Sequence, residues 1–114
     1  MRINVHGQIY RIKDCRGLSS LRGLMCDPLE DYQGALIYSN SIWMLFVKHA
    51  LDLIFLDEHY RVVQTGRGVP LTWNPRTWRV YRCPQARYCL ELKAGLVKVE
   101  QGATIAIMAP SLEG

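Results

Sequence analysis

Ile42-Trp43-Met44-Leu45-Phe46-Val47-Lys48-His49-Ala50-Leu51-Asp52-Leu53-Ile54-Phe55-Leu56-Asp57 is the stretch that decides the fold. Two apolar blocks, Ile42–Val47 and Leu53–Leu56, flank a polar joint of Lys48, His49 and Asp52. Each block is rich in branched and aromatic residues and too short for a core helix, which favours strands. Asp57–Tyr60 follows at hairpin length, and Arg61–Thr65 reads as the returning strand. Upstream, Ser39-Asn40-Ser41 makes a tight connection from a strand over Leu36–Tyr38. Downstream, Tyr88–Lys93 and Thr104–Met108 have the same character.

The N-terminus alternates: Ile3, Val5 and Ile9 interleave with Asn4, His6 and Gln8, which predicts a strand with a turn or bulge at His6-Gly7. Ser19-Ser20 offers a helix cap ahead of Leu21, Leu24 and Met25, and Asp27-Pro28 stops the helix because the residue before proline is driven out of helical geometry. The expectation is therefore a mostly β chain of about seven strands with one short helix after Ser20. Its architecture is a compact single-domain β-sandwich or partly open barrel spanning residues 1–114. Residues 66–87 interrupt the pattern as a long Arg- and Trp-rich loop with at most one short strand, Arg79–Tyr81. Loops of that length in a compact domain are usually functional or mobile.

With Arg22-Gly23-Leu24-Met25 upstream and Leu90-Glu91-Leu92-Lys93-Ala94-Gly95 downstream, the central stretch resembles the domain-of-unknown-function 192 family, also known as uncharacterised protein family 0127. The likeness runs from Cys15 to Ile107 and includes Gly34-Ala35-Leu36-Ile37-Tyr38, a glycine leading into a hydrophobic strand. The family signature is Phe-Trp-Met-Lys-Asn-Thr followed by Pro-Leu-Asp; Trp43, Met44, Leu51 and Asp52 keep its identities and spacing. The chain departs from it at Leu45, Phe46 and Val47 in place of Lys-Asn-Thr, at Ala50 in place of Pro, and at Tyr60 in place of the glycine of an Asp-x-x-Gly turn. The resemblance implies the fold, and the loss of amine, amide and hydroxyl argues against shared catalytic chemistry.

At 49% hydrophobic and 21% charged residues, the composition is that of a soluble globular domain. The longest apolar run, Ile42–Val47, falls far short of the ~20 residues that cross a bilayer. Met1–Tyr10 has no apolar signal core, and because the resembled family includes exported members, a cytoplasmic location is expected. Cys15, Cys26, Cys83 and Cys89 form no Cys-x-x-Cys pair and have no histidine at zinc spacing, so free buried thiols, no metal and no cofactor are expected.

Charge is unevenly placed: residues 59–88 carry six Arg and no acid, while the flanking segments each sum to −1. Arg67, Arg76, Arg79, Arg82 and Arg87 alternate with Trp73, Trp78, Tyr81 and Tyr88. Guanidinium forks match phosphate and carboxylate geometry, so Arg67, Arg76, Arg79 and Arg82 are candidate anion-binding residues. The plainer reading pins the loop by its aromatics and leaves the cations solvated. Asp52, between Leu51 and Leu53, must be hydrogen-bonded or paired if buried, either as a structural carboxylate that accepts backbone N–H bonds or pairs with an Arg such as Arg22, or as a ligand anchor or general base. Trp43, Met44 and Asp52 are the candidate ligand-binding set, with core packing as the alternative for the first two. His49, three residues before Asp52, lacks any nucleophile context.

Three function classes remain. The first is a non-catalytic module binding a small molecule or anionic ligand, with no membrane contact. The second is an interaction domain contacting nucleic acid or an acidic protein through the Arg-rich loop. The third is an enzyme with a pocket around Asp52.

Overall fold

The computed structural model describes residues 2–15, 32–43, 49–69, 73–77 and 80–108. Among the described residues there are nine strands: β1 (Arg2–Val5), β2 (Gln8–Cys15), β3 (Gly34–Ile37), β4 (Ser41–Trp43), β5 (Leu51–Leu56), β6 (Val62–Gly68), β7 (Val80–Arg82), β8 (Tyr88–Lys93) and β9 (Ala106–Met108). Among the described residues the only helical element is a single 3-10 turn at Pro75–Thr77; the helix expected after Ser20 falls outside them. Seven strands form one sheet in the order β6-β5-β8-β3-β2-β1-β9, and β4 pairs with β7 in a small second sheet. The chain is mostly β, as its pattern predicts.

His6 and Gly7 turn β1 into β2 with φ of 53° and 84°, the pair of positive values that matches hairpin twist. Asn4 Oδ1 accepts from Gly7 N at 3.0 Å and holds that turn. β2 and β3 run parallel, Ile12 opposite Gly34, so the chain between them is a crossover rather than a hairpin. β3 also meets β8, with Gly34 opposite Leu92. A Cβ on Gly34 would collide with the Glu91 carbonyl oxygen and press on the Leu92 side chain, so only glycine permits this approach.

The sheet curls until its two edges meet. Val62 N donates to Ala103 O at 2.7 Å, Gly102 N to Val62 O at 2.7 Å and Ile105 N to Tyr60 O at 2.9 Å, which joins the start of β6 to the chain leading into β9. The enclosed core draws from both ends of the strand order: Ile3, Ile12, Leu36, Ile54, Leu56 and Leu90 pack with Val62 and Ile105. On the outer face Ala35, Ile37, Leu53, Phe55 and Cys89 pack under Ile42 and Tyr81 of the small sheet. β5 is thus covered on both sides, which is why Leu51–Leu56 reads as a nearly continuous apolar run rather than an alternating one. Each fully buried Leu, Ile or Phe contributes roughly 1.5–3 kcal/mol relative to exposure.

The Asp57 turn shows how a departure from the family pattern is accommodated. Asp57 Oδ1 accepts from His59 N at 2.8 Å and Arg61 N at 3.0 Å. The Arg61 and then the His59 backbone donors lower the Asp57 carboxyl pKa. Tyr60 sits at φ 61°, the left-handed conformation that a glycine adopts freely. Its ring stacks on Tyr88 with centroids 4.9 Å apart, and Tyr88 meets Tyr38 edge-on at 5.3 Å. Aromatic stacking offsets backbone strain here.

Candidate functional site: an open seam beside Asp52

Register places Asp52 opposite Arg67 on β6 and opposite Leu92 on β8. Leu92 belongs to the enclosed core, so Asp52 faces the same way, at the strand's entrance. Both of its oxygens are engaged. Oδ1 accepts from Arg67 Nε at 3.2 Å, and Oδ2 accepts from Gly95 N at 2.9 Å, in the turn after β8 where Gly95 has φ 80°. The Asp52 side chain keeps 19% exposure and Arg67 keeps 60%. The guanidinium engages Asp52 through Nε, and its two terminal nitrogens have no acceptor among the described residues.

Beyond the stitched residues, the two sides of the seam part. β6 from Gln64 to Gly68 has no backbone partner opposite β5 among the described residues. The facing chain, Val97–Val99, is drawn the other way: His6 Nε2 donates to the Lys98 carbonyl at 3.1 Å, and Val97 and Val99 pack on the enclosed core. A groove of about 500 Å³ fills the gap, lined by Asp52, Thr65, Arg67, Gly95, Val97 and Lys98 among others. Thr65 and the Lys98 ammonium make no hydrogen bond or ion pair among the described residues. Two cations against one carboxylate leave the groove with a net positive charge, suited to an anion. No imidazole or thiol is among the described residues that line it.

A family model, DUF192, described as "Uncharacterized ACR", matches residues 16–107. The chain belongs to the DUF192 family. A search of the curated proteins finds no match. Among solved structures, a protein of unknown function from Novosphingobium aromaticivorans DSM 12444 is similar at 18% identity and TM-score 0.71, over 93% of this chain and 82% of that one. A "putative transcription regulator" from Sinorhizobium meliloti 1021 is similar at 19% identity and TM-score 0.72, over 91% and 88%. At these identities the likeness establishes the fold alone.

The structure of this DUF192 chain regroups the residues singled out in its sequence. Asp52 and Arg67, expected in separate sets, form one pair. Trp43 stands on β4 opposite Val80, in the small sheet; Met44, Arg22, Trp78 and Arg79 lie outside the described residues. Arg76 sits in the 3-10 turn, where its N donates to Asn74 Oδ1 at 3.1 Å, and Arg82 on β7 donates from Nε to Ser41 Oγ at 3.2 Å. Arg87 lies 4.0 Å from exposed Glu58. Trp73 is 97% exposed.

Glu91 is the residue the sequence concealed. It lies on β8 between Ala35 and Leu53, on the outer face beneath the small sheet, and is 4% exposed. Oε2 has no hydrogen-bond partner among the described residues, and burial alone raises the carboxyl pKa from 4.5 to about 7. Alternation in Tyr88–Lys93 assigns Glu91 to the face opposite Leu90 and Leu92, ordinarily solvent; only the second layer buries it. Thr65 and Lys98 carried no signal either, because single polar residues gain meaning there only once the seam brings them together.

Proposed function

We propose that this chain is a non-catalytic binding module for a small anionic ligand, with the open seam as its site. The observation that carries the reading is the Arg67 guanidinium, braced by Asp52 on the lining of a groove that also holds the Lys98 ammonium and Thr65 hydroxyl, neither with a partner among the described residues. Bracing one nitrogen of a guanidinium lowers the ordering cost of presenting the others. Asp52 serves as an anchor: a carboxylate with both oxygens engaged supports a binding role over that of a base in an enzyme pocket. Of the expected trio, this reading uses Asp52 and rests nothing on Trp43 or Met44. We place the protein in the cytoplasm, a reading supported by the free, buried thiols of Cys15, Cys83 and Cys89.

A thermal-shift screen of dicarboxylates, sugar phosphates and inorganic phosphate at low ionic strength tests it, since a ligand selective for the folded state raises Tm by mass action. The expected result is a shift with at least one anion class that Arg67→Gln and Lys98→Gln each diminish. Shifts unchanged in both variants would refute the site.

Trp73 supports a second reading. Its ring is almost wholly exposed, and Arg76 and Arg82 have no carboxylate partner among the described residues, a pattern that suits contact with nucleic acid or an acidic protein. Nucleic-acid affinity through this loop would fall with salt, with a log–log slope of about −0.9 per duplex phosphate contact. Joint replacement of Arg76, Arg79 and Arg82 by Gln would abolish it; polyanion binding unaltered by that change removes the loop from consideration.

A further inference from the structure

We infer that the seam takes an extended peptide segment bearing a carboxylate, added as a strand along the free edge of β6. The inference rests on the anion-binding reading above and names the ligand class. Its first support is the edge itself: among the described residues Gln64–Gly68 pair with β5 on one side only, and Gln64, Thr65, Gly66 and Arg67 are all exposed. An unpaired edge presents a row of N–H and C=O groups spaced for another strand.

The second support is the way the barrel is only partly zipped. The chain leading into β9 already lies antiparallel along the start of β6, through the Arg61–Thr104 bridge and the bonds around Val62. That ladder ends at Gly102, and farther along the far wall His6 holds the Lys98 carbonyl. An added strand would continue the ladder along the remaining edge of β6, in the groove of about 500 Å³. A Cβ built on Gly66 meets nothing within 4 Å, so space is open at this strand as well.

Chemistry selects the occupant. Thr65 and Arg67 are two residues apart and share a face with Asp52, so Arg67 would meet a side chain of the added strand rather than its backbone. The available partner at Arg67 and Lys98 is a carboxylate, and Val97 and Val99 offer an apolar wall to a branched side chain. A second copy of this chain is the poorer occupant, because β6 carries a cation and no carboxylate and so offers Arg67 and Lys98 no anionic partner.

The test is fluorescence anisotropy with a labelled Val-Glu-Val-Glu-Val peptide on the full chain, beside two N-methylated versions blocking alternate backbone donors, with glutarate as the small-molecule comparator. Binding should fall by about tenfold or more for one N-methylated version and in Arg67→Gln. Amide exchange over Gln64–Gly68 should slow on binding. If glutarate binds and the peptide does not, or if both methylated peptides bind like the parent, strand addition is refuted while the anion groove stands. If neither ligand binds, strand addition is refuted, and the anion groove falls with it when inorganic phosphate and sugar phosphates also leave Tm unshifted. A concentration-dependent dimer that itself protects Gln64–Gly68 would assign the edge to a second copy and overturn the proposal.

Discussion

Replacing Glu91 with Gln should flatten the pH dependence of stability. The folded-state pKa of about 7 against 4.5 means that the native protein holds a proton which the unfolded chain has released between those values. Stability from this group is therefore greatest below pH 4.5 and falls as pH rises to about 7, beyond which the full penalty persists. A gap of that size corresponds to about 3 kcal/mol. Glutamine keeps the shape and cannot ionise, but a buried amide carries a cost of its own, roughly 1–3 kcal/mol. The variant should then be more stable than the parent by up to about 2 kcal/mol at pH 8, with that advantage gone at pH 5. Urea unfolding of both proteins across this range measures the difference, and subtraction cancels the carboxylates they share. Parallel curves would refute the reasoning, because they would require Glu91 to be solvated or paired in the native state. A carboxyl 13C titration assigned to Glu91 with an ordinary midpoint would do the same.

Gly34→Ala should destabilise by roughly 2–4 kcal/mol in the same assay, since β3 and β8 must separate to admit the methyl group. A change under about 0.5 kcal/mol would show that the strands yield freely. Tyr60→Gly and Tyr60→Ala form an ordered pair. Glycine relieves about 1 kcal/mol of left-handed strain while losing a stack of similar worth, whereas alanine loses the stack and keeps the strain. The glycine variant should be the more stable of the two, and the reverse order would discount the strain. Asp52→Asn should cost about 1–2 kcal/mol and speed exchange of the Gly95 amide, because one of the two anchored oxygens becomes a donor. Unchanged exchange at Gly95 would remove Asp52 as the brace of the groove.

Local chemistry carried the strand assignments. Branched and aromatic blocks separated by turn formers mark β2, β3, β5, β6 and β8, because pleated surfaces and turn residues act over a few positions. His6-Gly7 was legible as a turn for the same reason. The small sheet was less so: β4 and β7 are three residues each and pair across most of the long loop, a contact no local pattern announces. The Asp52–Arg67 pair likewise depends on the β5–β6 register, in which a bulge between Phe55 and Leu56 shifts the alignment.

By itself, then, the sequence determined that the chain is mostly β, where its main strands and turns lie, and which family it resembles. These are properties of short windows and fixed spacings. The tertiary structure alone decided that the sheet curls on itself, that one stretch of its seam stays open beside Arg67 and Lys98, and that a second layer buries Glu91. Each depends on residues far apart in the chain, and the energy of a charge is set by what surrounds it in space: the arginine expected among loop cations pairs with Asp52 beside the groove, and Glu91, which drew no reading of its own in the sequence, is a buried acid.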